Sequence, residues 1–155
     1  VRVRQYVYFA MKSDILSAVE MSARIGLEPD EAMVQGRRSR QPLRPAMHVW
    51  KIACRDPGLT VDEMISRVVD RLEPFSEAVG GLVEELNRGH SGSCAVLQVV
   101  RYYGDEEGEV EDLRSPDPAF EKVPGQHQLL GWHLDGRVLR FLVSARAELD
   151  VDEYG

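Results

Sequence analysis

VRQYVYFAMKSDILSAVEMSARIG, residues 3–26, carries two periodicities in succession. Its first part, residues 3–11, is dense in aromatic and β-branched side chains (Tyr6, Val7, Tyr8, Phe9). These suit a pleated, packed surface and predict a strand. Its second part predicts a helix. Ser17 and Glu20 have the spacing of a capping box, in which each side chain satisfies a free backbone N–H of the first turn. Val19, Met21, Ile25 and Leu27 supply apolar positions, and Gly26 is placed to stop the helix.

Working outward, Pro29, Gly36, Pro42 and Pro45 break any periodicity over residues 28–46, which read as a loop. A second strand is expected at residues 47–54, with Trp50 central, closed by the turn signal Asp56-Pro57-Gly58. Thr60 and Glu63 form a second capping box. They open the longest helical pattern, in which Met64, Ile65, Val68, Leu72, Phe75, Val79, Leu82, Val83 and Leu86 recur at three- and four-residue steps. Pro74 lacks an N–H and crowds the previous turn, so it kinks or splits this helix; Gly80 and Gly81 weaken its second half. Residues 93–103 form a strong third strand. An acidic loop (residues 104–112) and a proline-bearing stretch follow, then a short strand at residues 128–133. A last helix opens at Leu134-Asp135, and residues 148–154 close the chain as a strand.

The prediction is α+β: a single domain over residues 1–155, with a mostly antiparallel sheet of four or five strands and three main helices. Residues 6–30 and 94–150 echo one another weakly, each a strand leading to a capped helix with an acidic end. Read as a duplication, that echo suggests a ferredoxin-like arrangement with the helices on one face of the sheet.

Several segments together resemble a known family. They are LSAVEMSARIGLEPDEA (residues 16–32) with the later Gly36, HVWKI (48–52), VDEMISRVVDRLEP (61–74), VVRYYG (99–104), GWHL (131–134) and ELDVDEY (148–154). Their order and spacing resemble the bacterial family known as domain of unknown function 4279, over nearly the whole chain. The resemblance implies a fold and no activity. Relatives often carry an aromatic residue after the position of Asp30, where this chain has Glu31-Ala32-Met33.

Composition narrows the class. A chain of 155 residues buries about 70% of its unfolded surface and needs no metal or disulfide staple. The net charge of -7 argues against a non-specific nucleic-acid binder, whose affinity comes from neutralising phosphates. No apolar run is long enough for a transmembrane helix and no secretory signal is visible, so a cytoplasmic protein is expected. Cys54 and Cys94 lie in apolar stretches and form no CxxC pair. They read as buried thiols, and a disulfide between them requires adjacent strands.

No catalytic set survives the spacing tests. Gly89-His90-Ser91-Gly92-Ser93 approaches a nucleophile elbow, but its fifth residue is not glycine and it joins a helix to a strand, the reverse of the required order. A hydrolase using Ser91 is therefore the least favoured reading. The acidic run Asp105, Glu106, Glu107, Glu109, Glu111 and Asp112 lacks the alternation of a calcium loop around Gly108 and reads as a solvated charge block. Asp150 and Asp152 fall on one face of the last strand, with Leu149 and Val151 on the other.

The favoured reading is a non-enzymatic protein-interaction or regulatory domain, with no cofactor. Arg37, Arg38, Arg40 and Arg44, with Trp50 nearby in sequence, form its expected surface for a protein or anionic partner, since guanidinium forks suit carboxylates and phosphates. Either edge strand also offers pairing to a second copy. The alternative is a small-ligand or metal-binding domain built from His48, His133, Asp150 and Asp152 around one end of the sheet.

Overall fold

The protein is described here by a computed structural model covering residues 2–36, 47–89, 92–110 and 131–155. The central strand is β1 (Arg2–Ser13). Val7, Phe9 and Met11 alternate along it and are fully buried, which commits one face of the strand to the core. A capped helix follows, α1 (Ala18–Ile25): Glu20 N–H donates to the Ser17 hydroxyl, and Ser17 N–H donates to the Glu20 carboxylate. Gly26 ends it in the left-handed conformation (φ 82°), where a Cβ is disfavoured.

The chain then forms β2 (Glu31–Met33) and β3 (His48–Cys54). Thr60 and Glu63 cap α2 (Val61–Leu72) as the spacing requires. The long helical pattern does divide at Pro74: a 3-10 turn, Glu73–Phe75, separates α2 from α3 (Ser76–Asn87). Then come β4 (Ala95–Tyr103), β5 (Glu109–Val110), α4 (Gly136–Ser144) with Asp135 as its cap, and β6 (Glu148–Tyr154).

The fold is α+β, with one mostly antiparallel sheet in the order β2-β3-β1-β4-β6; β5 pairs with β1 off that path. Among the described strands only β4 and β6 run parallel. Buried residues of all four helices join Val7, Phe9 and Met11 of β1, Trp50, Ile52 and Cys54 of β3, and Leu97 and Val99 of β4 in one core cluster. The described helices therefore layer on one face of the sheet. The two echoing halves of the sequence differ in connection: the strand β3 after α1 joins β1 antiparallel, whereas β6 after α4 joins β4 parallel.

Three expectations need correction. Among the described residues the sheet has six strands, because two short ones lie in stretches that read as loops: β2 pairs three residues with β3, and β5 pairs two with β1. Of the strand expected at residues 128–133, residues 128–130 lie outside the described residues, and Gly131, Trp132 and His133 belong to no strand; His133 N–H is taken by Asp62 Oδ1 (2.8 Å), which ties this segment to α2 rather than to the sheet. Gly80 does more than weaken a helix. A Cβ added there would lie 2.2 Å from the Ser144 carbonyl oxygen, so the glycine allows α3 to approach the end of α4.

Cys54 and Cys94 are both free and buried. Cys54 pairs opposite Val7, while the Cys94 carbonyl accepts from Lys12 N–H near the other end of β1, which separates them.

Candidate functional site

Alternation along the strands sends a second set of side chains to the sheet face that the described helices leave uncovered. From β1 these are Arg4, Tyr6, Tyr8 and Lys12. Their neighbours follow from register: Tyr8 opposes Gln98, Tyr6 opposes Val100 and Arg4 opposes Tyr102. Gln98, Val100 and Tyr102 in turn oppose Asp150, Asp152 and Tyr154 of β6.

The middle of this face is a set of tyrosine–cation contacts. Tyr6 and Tyr8 stack with centroids 6.2 Å apart, and Tyr102 and Tyr154 stack at 4.9 Å. Arg55 lies over Tyr6 (4.2 Å), Lys51 over Tyr8 (4.3 Å) and Arg4 over Tyr102 (4.7 Å). Glu31 holds Arg55 at 2.9 Å and Asp105 holds Arg4 at 2.7 Å, so the cations are fixed from both sides. Burial and the neighbouring Tyr102 raise the Tyr6 phenol above its ordinary pKa. Burial, Tyr6 and the carboxylates of Asp152, Asp150 and Glu31 raise that of Tyr8. Asp152 is the main cause of the rise at Tyr154. These phenols keep their protons at neutral pH and serve as rigid contact surface rather than as bases.

The β6 margin is acidic. Among the described residues neither Asp150 nor Asp152 has an ion-pair partner; Asp150 accepts only the N–H of Val151 (2.9 Å). No described strand pairs with the outer side of β6. Where β1, β4 and β6 meet on this face, a cleft of about 380 Å³ is lined by Lys12, Ser93, Gln98, Glu148 and Asp150 among others. Gln98 is 5% exposed, yet its Nε2 has no hydrogen-bond partner. An unpaired buried amide donor costs about 1–3 kcal/mol.

The expected site residues scatter. Arg37, Arg38, Arg40 and Arg44 lie outside the described residues, as do His90, Ser91 and His127. Trp50 is fully buried in the core, and its Nε1 donates to Ser22 Oγ at 3.0 Å; it is a core residue and offers nothing to a surface partner. His48 opposes Ser13 at one end of β1, where its Nδ1 accepts from Gln35 N–H (3.1 Å). His133 lies at the other end of the sheet. Its Nδ1 is 3.0 Å from Asp62 at the start of α2, and the preceding Leu59 accepts from Gln5 of β1. Asp150 sits beside Gln98, level with Tyr8 in the middle of β1. The two histidines and the terminal carboxylates therefore do not converge, and no three metal-ligating side chains gather among the described residues.

His133 and Asp62 border a second cleft of about 380 Å³ between α2 and α4, with Leu59, Ser66 and Arg67. Asp62 grips both the backbone N–H and the ring of His133, which makes it a clamp on the segment leading into α4.

A family model, Domain of unknown function (DUF4279), matches residues 3–155. The chain belongs to this family. No curated protein and no solved structure matches it. The DUF4279 assignment fits the six-segment resemblance read from the sequence and brings no activity with it. No helix among the described residues of this DUF4279 domain is long and apolar enough to cross a membrane. What sequence reasoning missed is the tyrosine–cation face. Its signal was present in the alternation of Arg4, Tyr6 and Tyr8 against Val7 and Phe9. Gln98, a lone amide within AVLQVV, was a second signal.

Proposed function

We propose that this DUF4279 domain is a non-enzymatic recognition module of the bacterial cytoplasm that binds an extended, cationic segment of another protein along β6. The observation that carries this reading is the acidic outer edge of β6, with which no described strand pairs, beside the tyrosine face. An edge strand presents free N–H and C=O groups to an incoming strand, and alternate pockets give specificity. Asp150 and Asp152 point to the open face, while Leu149 and Val151 are 37% and 36% exposed on the other. An incoming strand alternating cationic and apolar residues meets both sets. Charge complementarity favours such a partner over a second copy, because two β6 edges would bring carboxylates against carboxylates. The stacked tyrosines and held arginines beside the edge are the residue types that dominate binding surfaces.

The test is titration of a fluorescent peptide of alternating lysine and valine against the protein at low and high salt. Binding that weakens with salt, and about tenfold on Asp152→Lys, is expected. An equally tight complex with the matching glutamate–valine peptide, or no effect of Asp152→Lys, overturns the reading.

A further inference from the structure

We propose that the cleft where β1, β4 and β6 meet binds a small zwitterion of the α-amino-acid class. The cleft joins two opposed sets of groups. On one wall Lys12 of β1 has no ion-pair partner among the described residues, and Gln98 of β4 offers a buried, unpartnered Nε2. Both are donors, so they call for an acceptor that is anionic, as a carboxylate is. On the other wall stand the carboxylates of Glu148 and Asp150. Each is only partly engaged: Glu148 Oε1 accepts from Ser93 N–H (3.2 Å) and Asp150 Oδ1 from Val151 N–H (2.9 Å). They call for a cationic donor such as an ammonium. A ligand carrying one charge alone satisfies one wall and leaves the other unmet.

Size agrees. The volume of about 380 Å³ lies at the low end of the roughly 300–1,000 Å³ of small-molecule sites, which suits a metabolite rather than a cofactor. The wall supplies no activated nucleophile. Cys94 borders the cleft, where burial and then the charge of Asp14 raise its thiol pKa and disfavour the thiolate. Gln98 carries the argument furthest. It is the only buried side-chain donor or acceptor without a partner among the described residues, and it lies in the wall of a cleft whose other polar groups want a ligand of two charges.

The cleft shares Asp150 and Leu149 with the β6 surface proposed for strand recognition but not Asp152, so Asp152→Lys tests strand recognition alone and the Lys12 and Gln98 variants test the cleft alone. The test is calorimetric titration of the intact protein with the twenty protein amino acids. Any that binds is repeated with its analogue lacking the amino group and its analogue lacking the carboxyl group. At least one amino acid is expected to bind, with both analogues weakened about tenfold or more. Gln98→Leu and Lys12→Met are each expected to weaken that binding about tenfold as well. Lys12 is exposed, so its variant keeps the test valid should Gln98→Leu disturb the sheet. Absence of binding by every amino acid up to about 10 mM overturns the proposal. So does equal binding by either analogue, or binding indifferent to the Lys12 variant.

Discussion

Trp50 shows how one side chain resolves the two faces of a strand. In HVWKIAC, Trp50 shares its parity with Ile52 and Cys54, and the indole goes where they go. Its N–H then needs a partner in the core, and Ser22 of α1 supplies it. Ser22→Ala leaves that donor buried and unmet, at a cost of about 1–3 kcal/mol. Urea denaturation should show a lower midpoint with an unchanged slope. Asp30 is a second residue with more than one tie. Both its oxygens accept from Arg71 (2.7 and 2.8 Å), and Oδ2 also accepts from Ala53 N–H. The Arg71 hydrogen bonds are the chief reason its pKa is held below the ordinary 3.8. A lowered folded-state pKa means that this contribution is complete above the ordinary value. It is lost as pH falls from there through the folded value. Asp30→Asn should therefore destabilise the protein by about 1 kcal/mol at pH 7, since the pair is partly exposed. The difference from wild type should shrink in acid melts below the ordinary value.

At the level of elements, two adjacent glycines separate packing from propensity. Gly80 faces the Ser144 carbonyl so closely that Gly80→Ala must push α3 from α4, an overpacking cost of about 1–3 kcal/mol. Gly81 has nothing within 4 Å of its would-be Cβ, so Gly81→Ala should stabilise by about 0.5–1 kcal/mol through helix propensity alone. Paired thermal melts of the two variants should move in opposite directions. Capping boxes, the split at Pro74 and the four long strands were legible because each depends on residues within a few positions of one another. β2 and β5 were not legible, since two- and three-residue ladders exist only by virtue of the strand they pair with.

For the molecule as a whole, strand order lay beyond the sequence reading, and with it the site. Choosing which side chains share a face needs the alternation of one strand. Choosing which of them touch needs its neighbours. Tyr102 and Tyr154 are 52 positions apart and stack only because β4 and β6 run parallel in register. The same gap explains the failed grouping of His48 and His133. Both were placed near strand ends, but on ends that the sheet keeps apart. The cluster Arg37, Arg38, Arg40 and Arg44 remains a fact of sequence, while Trp50, its neighbour along the chain, turned inward.

The pairing of β1 with β4 also sets a schedule. β1 is the middle of the sheet, yet Val3 meets Tyr103, a hundred positions later. At a ribosomal pace of about 5–20 residues per second, one flank of β1 waits some 5–20 s for its mate after β1 itself is made. During that interval a nascent chain holds an apolar, aromatic ribbon with an open side, the kind of surface that chaperones guard and that sticks to its own copies when they do not.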